Sequence, residues 1–115
     1  MKINEYLRKH FSIIKYADGF EGKENAPRVE CADGFNMSVQ ASEDHCCHPR
    51  KNIPFLITAG FHYAEVEVSY PSAYEAVLMP YAEDESFPLD TVYAYVPVEV
   101  VDAIIAKHGG LVEED

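Results

Sequence analysis

The chain has no tryptophan and only three cysteines, and past Asn52 Lys107 is its single basic residue. Each shortage excludes something. The odd cysteine count (Cys31, Cys46, Cys47), in a sequence with no readable export signal, argues against a disulfide framework and for reduced thiols. Adjacent Cys46 and Cys47 are poorly placed to bridge each other, because a disulfide needs Cα and Cβ spacings that neighbours reach only under strain. No run of about 18 apolar residues exists to form a membrane-spanning helix. The charged start (Lys2, Glu5, Arg8, Lys9) lacks the apolar stretch of a signal peptide. A cytoplasmic location is expected by elimination.

Catalytic templates are missing as well. There is no G-x-x-x-x-G-K-[ST], no G-x-G-x-x-G, no G-x-S-x-G and no H-E-x-x-H. The expectation is a protein that is not an enzyme.

What is present is acid. The net charge is −11, and it is unevenly spread. Residues 1–28 carry six basic and four acidic side chains, whereas residues 52–115 carry one basic and twelve acidic ones. Such a field repels nucleic acid and anionic membrane and favours basic partners, although acidity also serves plain solubility.

The length, 115 residues, suits one domain spanning 1–115 with a single core. Ile3, Leu7, Phe11 and Ile14 recur at helical spacing and predict a helix over residues 4–14 capped by Asn4. Asp18-Gly19, Glu21-Gly22 and Asn25-Ala26-Pro27 mark a loop. Residues 28–41 predict a β-hairpin about Asp33-Gly34. A two-residue loop would mix polar and apolar side chains on each face. A three-residue loop, Ala32-Asp33-Gly34, pairs Val29 with Met37 and Cys31 with Phe35, which gathers Val29, Cys31, Phe35, Met37 and Val39 on one apolar face. Cys31 is then a core residue.

Residues 53–59 form an apolar run, strand or loop wall. Residues 61–70 alternate as a half-buried strand with Glu65 and Glu67 outward. Residues 75–81 read as another short strand, ended by Pro80. Residues 91–96 read as the last strand, with Tyr93 and Tyr95 on one side. A C-terminal helix over 97–108 has proline at its start, Lys107 and His108 at its end and Gly109-Gly110 beyond; Val98, Val101, Ile104, Ile105 and His108 form its inner face. The class is α+β: an antiparallel sheet of about four or five strands with an N-terminal and a C-terminal helix packed on one face.

Two clusters hold the candidate functional residues. His45, Cys46, Cys47 and His48 are metal-ligating types, and zinc is the ion to expect if the fold assembles them with Cys31, His10 or His62. Their spacing fits no standard zinc site. The same residues, beside Arg50 and Lys51, would serve a thiol-dependent activity if the cations lowered a cysteine pKa. The second cluster is the carboxylates Glu65, Glu67, Glu83, Asp84, Glu85 and Asp90, a row for a basic partner. Eight tyrosines offer anchors for a protein interface or complete a core without tryptophan, and with a free sheet edge they would permit a homodimer.

Three stretches, VECADGFNMSVQA (residues 29–41), PYAED (80–84) and VYAYVPVEV (92–100), resemble small proteins encoded in phages and prophages. The resemblance implies no catalytic residues. It implies a bacterial host cell as the setting, in which a small acidic protein would occupy a basic nucleic-acid-binding surface on a host protein.

Overall fold

A computed structural model describes residues 1–52 and 62–113. The apolar run at 53–59 and the residues at 61, 114 and 115 lie outside the described residues. Helix α1 (Ile3–Lys9) opens the chain. Two short strands, β1 (Ile13–Lys15) and β2 (Glu21–Lys23), pair as a separate ribbon. Strands β3 (Val29–Glu30), β4 (Asn36–Gln40), β5 (Glu65–Ser69) and β6 (Val92–Pro97) form an antiparallel sheet in the order β3-β4-β5-β6. A 3-10 helix (Ala76–Tyr81) precedes β6, and α2 (Val98–Lys107) follows it. The α+β architecture expected from the sequence is the one found.

The core lies between the sheet and the two helices. Val29, Met37, Val39, Val66, Val68, Tyr93 and Val96 from the strands meet Val101, Ile104 and Ile105 of α2 and Ile3 and Leu7 of α1. Each fully buried aliphatic side chain contributes roughly 1.5–3 kcal/mol relative to exposure. An isolated helix as short as α1 would be marginal in water, so its buried face holds it. Ile3 N–H also donates to Asp102 Oδ1 (2.8 Å), tying α1 to α2.

The hairpin register is the one the alternation required. Val29 pairs with Met37 and Glu30 with Asn36, Cys31 N–H donates to Phe35 O (2.8 Å), and Gly34 sits at φ +96°. Helix α2 ends in two reciprocal bonds, Gly109 N–H to Ala106 O (3.1 Å) and Gly110 N–H to Ile105 O (2.9 Å), with both glycines left-handed. That is the C-terminal cap that paired glycines permit.

Several local expectations are corrected. The first helix stops at Lys9 rather than reaching Ile14, because Ile13 and Ile14 enter β1. The loop expected at Asp18 to Gly22 is the turn and second strand of that ribbon, where the Tyr16 ring lies against Gly22. Lys2, not Asn4, occupies the N-cap position of α1, and its N–H donates to Glu5 Oε1 (3.4 Å). Residues 75–81 form no strand: Ala76–Tyr81 is a 3-10 helix with only Leu78 buried. Tyr93 and Tyr95 do not share a side. The register slips between Val66 and Val68, Tyr95 takes φ +54°, and Tyr93 is buried while Tyr95 is exposed. An extra residue in one strand reverses the alternation beyond it.

Both long edges of the sheet are occupied. Along β6, Glu83 N–H donates to Val92 O (2.9 Å) and Tyr95 N–H to Cys46 O (3.1 Å). Along β3, Leu111 bridges Cys31 and Val112 N–H donates to Glu30 O (2.9 Å). Edge-to-edge pairing of two copies would have to displace these segments.

Candidate functional site

Residues 41–47 leave the β4 position of the sheet, and His48 rejoins it by pairing with Glu65. The excursion is held from inside. The Ser42 hydroxyl lies 2.6 Å from His45 Nδ1 and accepts Asp44 N–H (3.0 Å). The Cys47 thiol is buried and donates to Ser42 O (3.1 Å). Burial pushes it above the ordinary thiol value, outweighing a backbone hydrogen bond at Ser42 and the charges of Arg50 and Lys23. A thiol held protonated is a poor nucleophile. Cys46 is partly exposed and His48 exposed, so the four predicted ligands point to different surroundings. Among the described residues no group of three or more His, Cys, Asp or Glu side chains is arranged to hold a metal ion.

Ser42, His45 and Glu67 occur in the order of a hydrolytic relay, with His45 Nε2 4.0 Å from Glu67 Oε2. Ser42 is only 2% exposed, so its hydroxyl faces the loop and not a substrate. Burial holds the His45 pKa below its ordinary value, with Glu67 opposing.

The six carboxylates fall into two groups. Glu65 and Glu67 are half-buried under the 41–47 excursion, and Glu67 accepts Cys46 N–H (3.2 Å). Glu83, Asp84, Glu85 and Asp90 are exposed in the loop between the 3-10 helix and β6. None of these four has a cationic partner among the described residues. The loop is built of successive turns. Asp84 Oδ1 accepts Ser86 N–H (3.0 Å), Asp84 N–H donates to Thr91 Oγ1 (3.1 Å), and the Tyr93 hydroxyl donates to Pro88 O (2.5 Å) from below. Phe87 and Leu89 are thereby displayed at 60% and 47% exposure among the four carboxylates.

A third cluster went unread in the sequence. His108 Nε2 lies 2.5 Å from Glu75 Oε1 and Nδ1 lies 2.6 Å from Asp33 Oδ2, while Lys107 Nζ reaches Glu75 Oε2 at 3.1 Å. Phe35 stacks on the imidazole with ring centres 4.1 Å apart. Only the doubly protonated ring donates to both carboxylates. Burial pulls the His108 pKa down, but the bonds to Glu75 and Asp33 outweigh it and the net direction is up. Burial likewise raises Glu75, and its bonds to His108 and Lys107 reverse the sign. The Phe35 N–H bond and His108 hold Asp33 low. Both ring nitrogens face carboxylates, so neither is free to activate a hydroxyl or thiol. What this cluster does chemically is keep a proton.

No family model, curated protein or solved structure matches this chain.

Proposed function

We propose that this protein is a non-enzymatic binding module whose acidic C-terminal half engages a basic protein partner. The observation that carries the reading is the 83–90 loop, where four exposed carboxylates without cationic partners among the described residues flank the exposed Phe87 and Leu89 in sequence. An apolar anchor inside a charged rim is the anatomy of a protein interface. The rim would steer a cationic surface toward the loop, and burial of Phe87 would hold it there. A resemblance of residues 29–41, 80–84 and 92–100 to small phage-encoded proteins would put the partner in a bacterial cell, with a basic nucleic-acid-binding surface as the target. Nucleic acid itself is repelled by the same charge.

The test is affinity capture from bacterial lysate with the native chain and with two variants. One variant replaces Glu83, Asp84 and Glu85 by glutamine and Asp90 by asparagine; the other is Phe87→Ser. A basic protein held by the native chain, released by salt and lost with both variants supports the reading. Retention of the same proteins by both variants, or capture of no basic protein, sinks it.

A further inference from the structure

Beyond α2 the chain doubles back along the sheet. Residues 109–113 run beside β3, with Ala32 N–H donating to Gly110 O (2.9 Å) and Val112 N–H to Glu30 O (2.9 Å). Leu111 is buried, and Glu113 is fastened at the far end by His10 and by Lys9 Nζ (3.4 Å). Val112 and Glu113 also line a cleft of about 270 Å3, together with Tyr6, Arg28 and Glu30. The segment therefore covers the backbone edge of β3 and forms part of the wall of this cleft.

Its near end is anchored one residue earlier, at His108. We propose that residues 109–113 form a pH-operated strap, held along β3 while His108 is protonated and released from the sheet edge when His108 loses its proton.

The reasoning follows the proton. The charged groups facing His108 are Asp33 from the hairpin turn, Glu75 from the segment before the 3-10 helix and Lys107 from α2 itself; the Phe35 ring covers one face. A neutral imidazole keeps one N–H. Glu75 is 3% exposed and Asp33 is largely exposed, so the remaining proton stays with Glu75, where an unpaired carboxylate would be costlier. Nδ1 then turns a lone pair toward Asp33 Oδ2 at 2.6 Å, and an attraction becomes a repulsion. The strain falls at the junction of the hairpin turn and Gly109, where two successive left-handed glycines offer little resistance to rearrangement. A freed β3 edge would accept an extended strand from a partner.

Amide hydrogen exchange across pH 5.5–9, corrected for intrinsic rates, reads the strap directly through Ala32 and Val112, with Val39 and Val68 as core references. Protection of Ala32 and Val112 should fall by roughly threefold to tenfold on the alkaline side while the core references hold, the size expected for losing one charge-assisted bond at a half-exposed site. In a Glu113→Gln background, where His10 and Lys9 no longer meet a carboxylate at the far end, His108→Gln, which takes no proton, should abolish the pH dependence. Asp33→Asn, which removes the repelled carboxylate, should keep the strap protected at high pH and carries the test if the first variant does not fold. Strap amides that track the core at every pH, or an alkaline loss that persists unchanged in either variant, would overturn the proposal.

Discussion

Asn4 and Tyr63 exchange two hydrogen bonds: Asn4 Nδ2 donates to Tyr63 O (3.0 Å), and Tyr63 N–H donates to Asn4 Oδ1 (2.9 Å). A side chain thereby stands in for a strand partner and joins α1 to the start of the β5 segment. Asn4→Ala leaves both backbone groups without a protein partner and should cost about 1–3 kcal/mol. Asn4→Asp keeps the acceptor but loses the donor, so it should fall between the native chain and Asn4→Ala. Urea unfolding midpoints of the three proteins check the order; equal midpoints would mean that water replaces the pair without loss.

Gly34 and Gly109 separate conformational cost from crowding. Both are left-handed, at φ +96° and +91°, but a Cβ at Gly34 meets nothing within 4 Å whereas one at Gly109 lies 3.0 Å from Ala32 Cβ. Gly34→Ala should therefore cost only the left-handed penalty, about 1–2 kcal/mol. Gly109→Ala should cost more, and Ala32→Gly in the same chain should recover part of the difference. Thermal unfolding of the two single variants and the double variant decides the matter, since recovery requires the contact.

These elements also mark how far the sequence was readable. The hairpin was legible because only one register separates its apolar from its polar side chains, and a one-residue slip would turn the whole set over. Helix α2 was legible from Pro97, Lys107 and Gly109-Gly110, which punctuate it at both ends. Residues 75–81 were not. A short apolar run fits strand and helix alike, and the buried fate of Glu75 depends on His108, 33 positions away. The Tyr95 bulge was hidden for a related reason, since alternation carries no sign of an inserted residue. The carboxylate loop and the His-Cys cluster were found as compositions. That Glu67 lies beneath Cys46 while Glu83 to Asp90 stand free is a property of the folded chain.

Thiol accessibility gives a further prediction. Cys31 and Cys47 are each 1% exposed, and burial raises both thiols above the ordinary value; Cys46 is partly exposed. The native protein should therefore titrate one thiol rapidly with a chromogenic disulfide reagent at pH 8, and all three after denaturation. Cys46→Ser should remove the fast phase. A fast phase of two thiols in the native chain, or one that survives in Cys46→Ser, would place Cys31 or Cys47 at the surface.

The Asp33–His108–Glu75 cluster sets the sign of the pH dependence of global stability. The folded His108 pKa lies above its ordinary 6.5, so its contribution is complete below about pH 6.5 and is lost as pH rises through the folded value. Glu75 and Asp33 lie below their ordinary 4.5 and 3.8, so theirs are present above those values and are lost as pH falls through the folded ones. The contribution of this cluster should be greatest between about pH 4.5 and 6.5 and should fall on both sides, while His45, whose pKa burial holds below 6.5, subtracts stability as pH falls below that value. Glu75→Gln removes the buried anion, so it should flatten the alkaline limb together with the part of the acid limb owed to residue 75, and it should lower stability at pH 5.5 because a protonated His108 loses one of its two carboxylates. His108→Gln should flatten the alkaline limb, and should weaken the acid limb only as far as His108 holds the two carboxylates low. Urea midpoints at pH 4, 5.5 and 8.5 for the three proteins test this assignment. An alkaline limb of native steepness in both variants would mean that another group carries it.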